Sequence, residues 1–131
     1  MEKIYVCDMG LAKVKRLTES TVTCINKGPG TFPYMAPEMF KESRRGPAAD
    51  IYSLGCLFIE LFSRKRVWPG LDGPGIMLKV LGSYNTPPQG PNTSHLPPMV
   101  QDLCAKLTNL EPSERPKSSD VLEMVSKLIK E

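Results

Sequence analysis

Few residues in this chain could do chemistry, and they are unevenly placed. Asp8 stands between the apolar pair Val6-Cys7 and Gly10. A carboxylate there either turns the chain or offers a hard oxygen ligand to a metal ion. One aspartate alone leaves both readings open. Further on, Thr18, Ser20, Thr21 and Thr23 crowd hydroxyls into one polar stretch. His95 sits among prolines with no acid or nucleophile as a partner. Gly70, Gly73 and Gly75 form a G-x-x-G-x-G, but no strand precedes it, so it reads as a turn and not a phosphate loop. The cysteines Cys7, Cys24, Cys56 and Cys104 are widely spaced with no C-x-x-C. That argues against a zinc site or a disulfide framework and for reduced thiols in a cytoplasmic setting.

These residues need elements to hold them. At 131 residues the chain is one domain's worth, and 40% apolar with 24% charged content suits a globular protein. The net charge of +3 is too weak to argue for nucleic acid. No apolar run reaches the roughly 18–20 residues of a membrane span, and the start lacks the basic-then-apolar pattern of a signal peptide. Arg44-Arg45 and Arg64-Lys65-Arg66 read as solvated surface.

Residues 3–7, "KIYVC", are β-branched and aromatic and read as a short buried strand, with Cys7 a buried apolar thiol. The polar stretch 14–30 has no hydrophobic period and ends in Gly-Pro-Gly, which predicts a long loop. Pro37 opens a short helix to about Glu42. The strongest helical spacing follows over 48–63: Ile51, Leu54, Leu57, Phe58, Leu61 and Phe62 recur at helical intervals, with Cys56 and Ile59 on the other flank. A helix apolar nearly all round belongs in the middle of a domain. A loop over 70–75 and a helix over 76–81 come next, then an irregular proline-rich stretch. Helices over 98–109 and 119–130 complete the chain, the last one capped by Ser118 or Asp120.

Four blocks, in order, resemble the C-terminal lobe of a eukaryotic protein kinase domain. Asp8-Met9-Gly10 is similar to that family's D-F-G. Gly30-Thr31-Phe32-Pro33-Tyr34-Met35-Ala36-Pro37-Glu38 is similar to G-T-x-x-Y-M-A-P-E. Asp50-Ile51-Tyr52-Ser53-Leu54-Gly55 resembles D-x-x-S-x-G, and Pro112 with Arg115-Pro116 resembles the arginine-bearing turn before the last helix. The likeness runs along nearly the whole chain, and "GTFPYMAPE" is specific by itself. The implied fold is mainly α: a kinase-like C-terminal lobe with a short N-terminal strand, a long activation loop and about five helices around a buried central helix. The G-T-x-x-Y pattern resembles serine/threonine kinases, since tyrosine kinases usually carry tryptophan where this chain has Tyr34.

The resemblance also assigns expected roles. Asp8 would ligate magnesium bridging the ATP phosphates, and Gly10 would let the backbone aim it. Met9, where phenylalanine is usual, is apolar and adaptable enough for the same slot. Cys7 would lie at the back of the nucleotide pocket. Thr18, Ser20, Thr21 and Thr23 become candidate phosphosites of an activation loop. Thr31 would orient the catalytic aspartate, and Phe32 to Met35, Tyr34 included, would face the substrate residue after the acceptor. Glu38 and Arg115 would form a buried ion pair, and Asp50 would accept backbone hydrogen bonds from the catalytic loop.

The family also uses parts that these residues do not supply. There is no G-x-G-x-x-G-x-V, no phosphate-pairing lysine with its glutamate, and no H-R-D-L-K-x-x-N, since the only histidine is His95, followed by Leu96. Residues 1–131 therefore read as a partial kinase domain without the N-terminal lobe and catalytic loop. The complete parent would move the ATP γ-phosphate to protein serine or threonine, with ATP and Mg2+ as cofactors and protein substrates as partners. This chain alone is expected to be inactive, with weak ATP binding or none. The alternative is a truncated non-catalytic module that competes with a complete kinase for partners. No membrane or nucleic-acid partner is implied, but a partner covering one face of the central helix is.

Overall fold

The computed structural model describes residues 2–7, 22–23, 32–42, 44–82 and 93–130. The described residues are mainly helical. In chain order they form β1 (Val22–Thr23), a 3-10 turn at Phe32–Tyr34, α1 (Pro37–Glu42), β2 (Arg44–Arg45), α2 (Pro47–Ser63), α3 (Gly73–Leu81), α4 (Pro98–Leu107), a second 3-10 turn at Pro112–Glu114, and α5 (Ser118–Lys130). β1 and β2 pair antiparallel, Val22 with Arg45 and Thr23 with Arg44. The loop read over 14–30 lies outside the described residues apart from Val22–Thr23.

α2 organises the rest. Pro47 pre-sets the first helical turn after Gly46. Asp50 follows in that turn, where a carboxylate meets the positive end of the helix dipole. The helix ends where Arg64 takes a left-handed conformation, φ 55°, and Ser63 Oγ accepts the Lys65 backbone N–H at 3.2 Å. Apolar residues on two sides of α2 feed two packed groups. Tyr52, Cys56 and Ile59 join Met35, Phe40, Trp68, Ile76, Val80, Val100 and Cys104. Ile51 joins Leu103, Leu107 and Val121, from α4 and α5. Where α2 meets the end of α4, a Cβ built on Gly55 would stand 2.6 Å from Thr108 Cγ2 and 2.7 Å from Leu107 Cβ. Only glycine allows that approach without a shift. The C-terminal half of α2 keeps one side in solvent, with Leu57, Leu61 and Phe62 exposed and Leu61 at 62%.

Two expectations are corrected. Residues 3–7 form neither a strand nor buried structure: Ile4 is 98% exposed and Val6 84%, and Cys7 is exposed as well. Their composition suits a sheet, but a strand is held by a neighbour's ladder, and none stands beside them among the described residues. Second, Gly73 and Gly75 belong to the first turn of α3 and not to a loop. Asp72 Oδ1 accepts the Gly75 N–H at 2.8 Å, so an N-cap outweighs the low helix propensity of glycine there. Of the two caps expected for α5, Asp120 serves, from within the helix. Asp120 Oδ2 reaches back to the Lys117 N–H at 3.0 Å, half of a capping box, with Ser118 already inside the helix.

Candidate functional site

The segment 32–38 carries three of the described site residues, Phe32, Tyr34 and Glu38, and two acids pin it. At its C-terminal end Glu38 opens α1 one residue after Pro37, so its carboxylate projects from the first turn. Arg115, in the turn before α5, meets it with a parallel pair of bonds: Nη1 to Oε1 at 2.7 Å and Nη2 to Oε2 at 2.9 Å. The same guanidinium donates from Nε to Asn109 O at 2.7 Å, from Nη1 to Ala48 O at 2.9 Å, and from Nη2 to Leu110 O at 3.4 Å. Every N–H that arginine offers is therefore used. Its side chain is 0% exposed, and Glu38's is 20%. The Tyr52 ring lies under the guanidinium, 4.9 Å from centroid to Cζ, an arrangement that favours a desolvated cation.

At the N-terminal end the 3-10 turn presents Phe32 and Tyr34. Phe32 stacks on Phe40 with centroids 5.9 Å apart and rests against Gly73 of α3, where a Cβ would come within 3.1 Å of the ring. Tyr34 is held twice by α2. Its carbonyl accepts Ser53 Oγ at 2.8 Å, and its hydroxyl donates to Glu60 Oε2 at 3.0 Å. Glu60 Oε1 in turn accepts the Val67 N–H at 3.0 Å. Burial first, and then the Glu60 carboxylate, raise the Tyr34 phenol above its ordinary value of 10.0.

Glu60 thus ties the 32–34 turn to the stretch after α2. A pocket of about 170 Å³ opens beside this bridge, lined by Tyr34, Glu60, Arg66, Trp68, Leu71 and Ile76 among others. Trp68 is buried and sits at φ 55°. Bulky residues seldom adopt that conformation, so surrounding packing must hold it. A turn follows directly, with Leu71 N donating to Trp68 O and Gly70 at φ 73°.

The structure thus brings Phe32, Tyr34, Glu38 and Arg115 into one framework around α2. Asp50 stands on the exposed side of its first turn. Cys7 is exposed. Asp8, Gly10, Thr18, Ser20, Thr21 and Thr31 lie outside the described residues, and Thr23 is described only as a position in β1. Among the described residues, no group of three or more His, Cys, Asp or Glu side chains converges as metal ligands would.

Glu60 and Trp68 escaped the sequence reading, and Ser53 entered it only as a member of the D-x-x-S-x-G-like block, with no role. A signal existed for Glu60, the only charged residue between Asp50 and Arg64 in an otherwise apolar helix. A lone acid in such a run calls for a partner. The buried cysteines are inert by environment: burial pushes the Cys56 thiol well above its usual range, and that of Cys104 up to about 11.

Comparison with known proteins addresses the whole chain. The protein kinase domain family matches residues 1–125. Serine/threonine-protein kinase Nek8 of Danio rerio is 27% identical over 120 residues, covering 91% of this chain and 16% of that protein. Mitogen-activated protein kinase kinase kinase 1 of Mus musculus is 31% identical over 96 residues, 72% of this chain and 6% of that protein. Mitogen-activated protein kinase kinase kinase 7 of Bos taurus is 22% identical over 127 residues, 97% of this chain and 21% of that protein. This chain thus spans a small part of the length of these relatives, yet the match to the family runs through it almost from end to end, and it belongs to the protein kinase domain family.

Proposed function

We propose that residues 1–131 are the C-terminal part of a serine/threonine protein kinase domain, whose complete form passes the ATP γ-phosphate to serine or threonine hydroxyls of protein substrates. In this reading Asp8 holds magnesium on the ATP phosphates, with Gly10 shaping its turn and Cys7 beside the nucleotide. Thr31, Phe32 and Tyr34 position the substrate, and the hydroxyls of 18–23 receive regulatory phosphate. Asp50, Glu38 and Arg115 are architectural. The setting is cytoplasmic.

The observation that carries this reading is the doubly pinned segment 32–38. Phosphoryl transfer depends mostly on positioning and electrostatics. A substrate-facing turn held by Ser53 and Glu60 at one end and by Arg115 at the other supplies positioning. The 131 residues contain no catalytic-loop aspartate and no ATP-pairing lysine of the family type, so the isolated chain does not transfer phosphate. A radiolabelled ATP assay with generic protein substrates tests this, with an Asp8→Ala chain as control. Transfer equal to that control is expected, and transfer clearly above it overturns the reading.

The exposed Leu57, Leu61 and Phe62 favour one second reading, a non-catalytic module competing with a complete kinase for partners. It requires saturable inhibition of a complete kinase by added chain, where the first reading expects none.

A further inference from the structure

We propose that the pocket beside the Tyr34–Glu60 bridge receives an acidic side chain of a bound peptide, with Arg66 as the cation that selects it. The pocket measures about 170 Å³. Sites for drug-sized small molecules usually span ~300–1,000 Å³, so this one suits a single side chain. Its walls come from Tyr34 in the 3-10 turn, Glu60 near the end of α2, Arg66, Trp68 and Leu71 in the stretch that follows, and Ile76 of α3.

The two charged residues of the lining are not equally free. Glu60 is half-buried, and each of its oxygens already accepts a bond, one from the Tyr34 hydroxyl and one from the Val67 N–H. Arg66 is exposed, and among the described residues no hydrogen bond or ion pair engages it. Its charge nonetheless acts on the Tyr34 phenol, opposing the upward push of burial and of Glu60, so it stands close to the hydroxyl that lines the pocket. Arg64 and Lys65 beside it are exposed and likewise have no acid partner among the described residues. An entering carboxylate finds an uncommitted guanidinium that can match both its oxygens. An entering ammonium finds only Glu60, already engaged, and the like charge of Arg66.

The rest of the lining suits a side chain with an apolar stem and a charged tip. Trp68 and Ile76 are buried, and methylenes can lie against such a wall while the head group stays at its polar end. The wall is also shaped in advance. Trp68 is held at φ 55°, and its carbonyl closes a turn with the Leu71 N–H at 3.2 Å. A preorganised site loses less freedom on binding. That the peptide is a substrate rests on the kinase reading above, because the pocket adjoins the 32–34 turn assigned to substrate; the choice of an acid does not.

Trp68 is the single tryptophan of the chain, so its emission reports on the pocket. The test titrates the full 131-residue chain, at about 0.15 M salt to screen exposed charges. The probes are short peptides of one design, a serine among alanines with Glu, Gln or Lys at the positions that follow it. The Glu peptide should shift Trp68 emission saturably and bind about tenfold more tightly than the Gln peptide, with the Lys peptide weakest. Arg66→Gln should erase the preference for Glu over Gln. Arg66→Lys should keep part of it, since lysine carries the charge without the fork. Arg64→Gln with Lys65→Gln, which lowers the local charge but leaves Arg66, should keep it. No saturable shift with any peptide, tightest binding by the Lys peptide, equal binding of the Glu and Gln peptides, or a preference that survives Arg66→Gln overturns the proposal. The kinase reading is judged separately, by transfer of phosphate to the same peptides from a complete domain bearing residues 1–131. Selective binding by the chain with no transfer by that domain leaves the pocket standing and removes the kinase reading. Transfer to the Glu and Gln peptides at one KM removes the pocket and leaves the kinase reading.

Discussion

Two acids anchor the same short segment, and they do so in different ways. Glu38 is joined to a fully buried arginine whose other donors are all spent on backbone carbonyls. Glu60 is half-buried, and it joins a phenol and one backbone N–H. The first contact spans 77 residues of sequence and the second 26. A buried ion pair with every donor satisfied is costly to break from one side, whatever its net worth. A half-buried neutral-to-charged hydrogen bond can be lost and replaced by water. The comparison teaches that one end of the 32–38 segment is fixed by architecture while the other can be adjusted without unfolding the chain.

The largest effect is expected from Arg115→Ala. It leaves the Glu38 carboxylate and three carbonyls without their donor and should cost ~3–5 kcal/mol, read by urea unfolding. A loss below about 1 kcal/mol would place Glu38–Arg115 on a level with an ordinary surface pair. Gly55→Ala comes next. It does not touch either anchor but forces apart α2 and α4, the scaffold both depend on. About 1–3 kcal/mol should be lost, and a neutral result would mean that the crossing is looser than 2.6 Å implies.

Smaller still is Glu60→Gln, which keeps an acceptor but removes its charge. About 1 kcal/mol or less is expected. This contact also has a pH signature. The folded state holds the Tyr34 proton more tightly than its ordinary value of 10.0, so the associated stability is present below pH 10 and is lost as pH rises beyond it. Tyr34→Phe should therefore flatten the alkaline fall in stability. An unchanged slope would show that the Tyr34–Glu60 bond contributes nothing to it. The smallest effect belongs to Tyr52→Phe. The Tyr52 hydroxyl is buried without a hydrogen-bond partner among the described residues, and phenylalanine keeps a ring under Arg115. Stability should stay level or rise by up to about 1 kcal/mol; a marked loss would reveal a partner, such as a trapped water, at that hydroxyl.

The two anchors also differ in how far the sequence announces them. The Glu38–Arg115 pairing could be anticipated from the resemblance, because both residues sit in recognisable blocks. The three carbonyls that complete it belong to Ala48, Asn109 and Leu110, and no side-chain pattern marks a carbonyl as an acceptor. The resemblance led us to expect Tyr34 to face substrate, but its tie to Glu60 depends on a tertiary crossing of the 3-10 turn and α2. The helices follow the same rule. α2 was legible within one residue at its start because apolar spacing and Pro47 agree. The start of α3 was missed by three residues because Gly73, Pro74 and Gly75 look like a turn until Asp72 caps them. Residues 3–7 misled because β-branched composition describes what a strand needs on its faces and says nothing about the neighbour its backbone requires.

The central claim is the inequality of the two anchors, and paired double-mutant cycles address it most directly. One cycle takes Glu38→Gln with Arg115→Met, the other Tyr34→Phe with Glu60→Gln, each followed by urea unfolding. The first should give a coupling energy near the upper end of the ~0.5–3 kcal/mol range for residues in contact, and the second one near its lower end. Equal couplings, or additive behaviour at Glu38 and Arg115, would contradict the account.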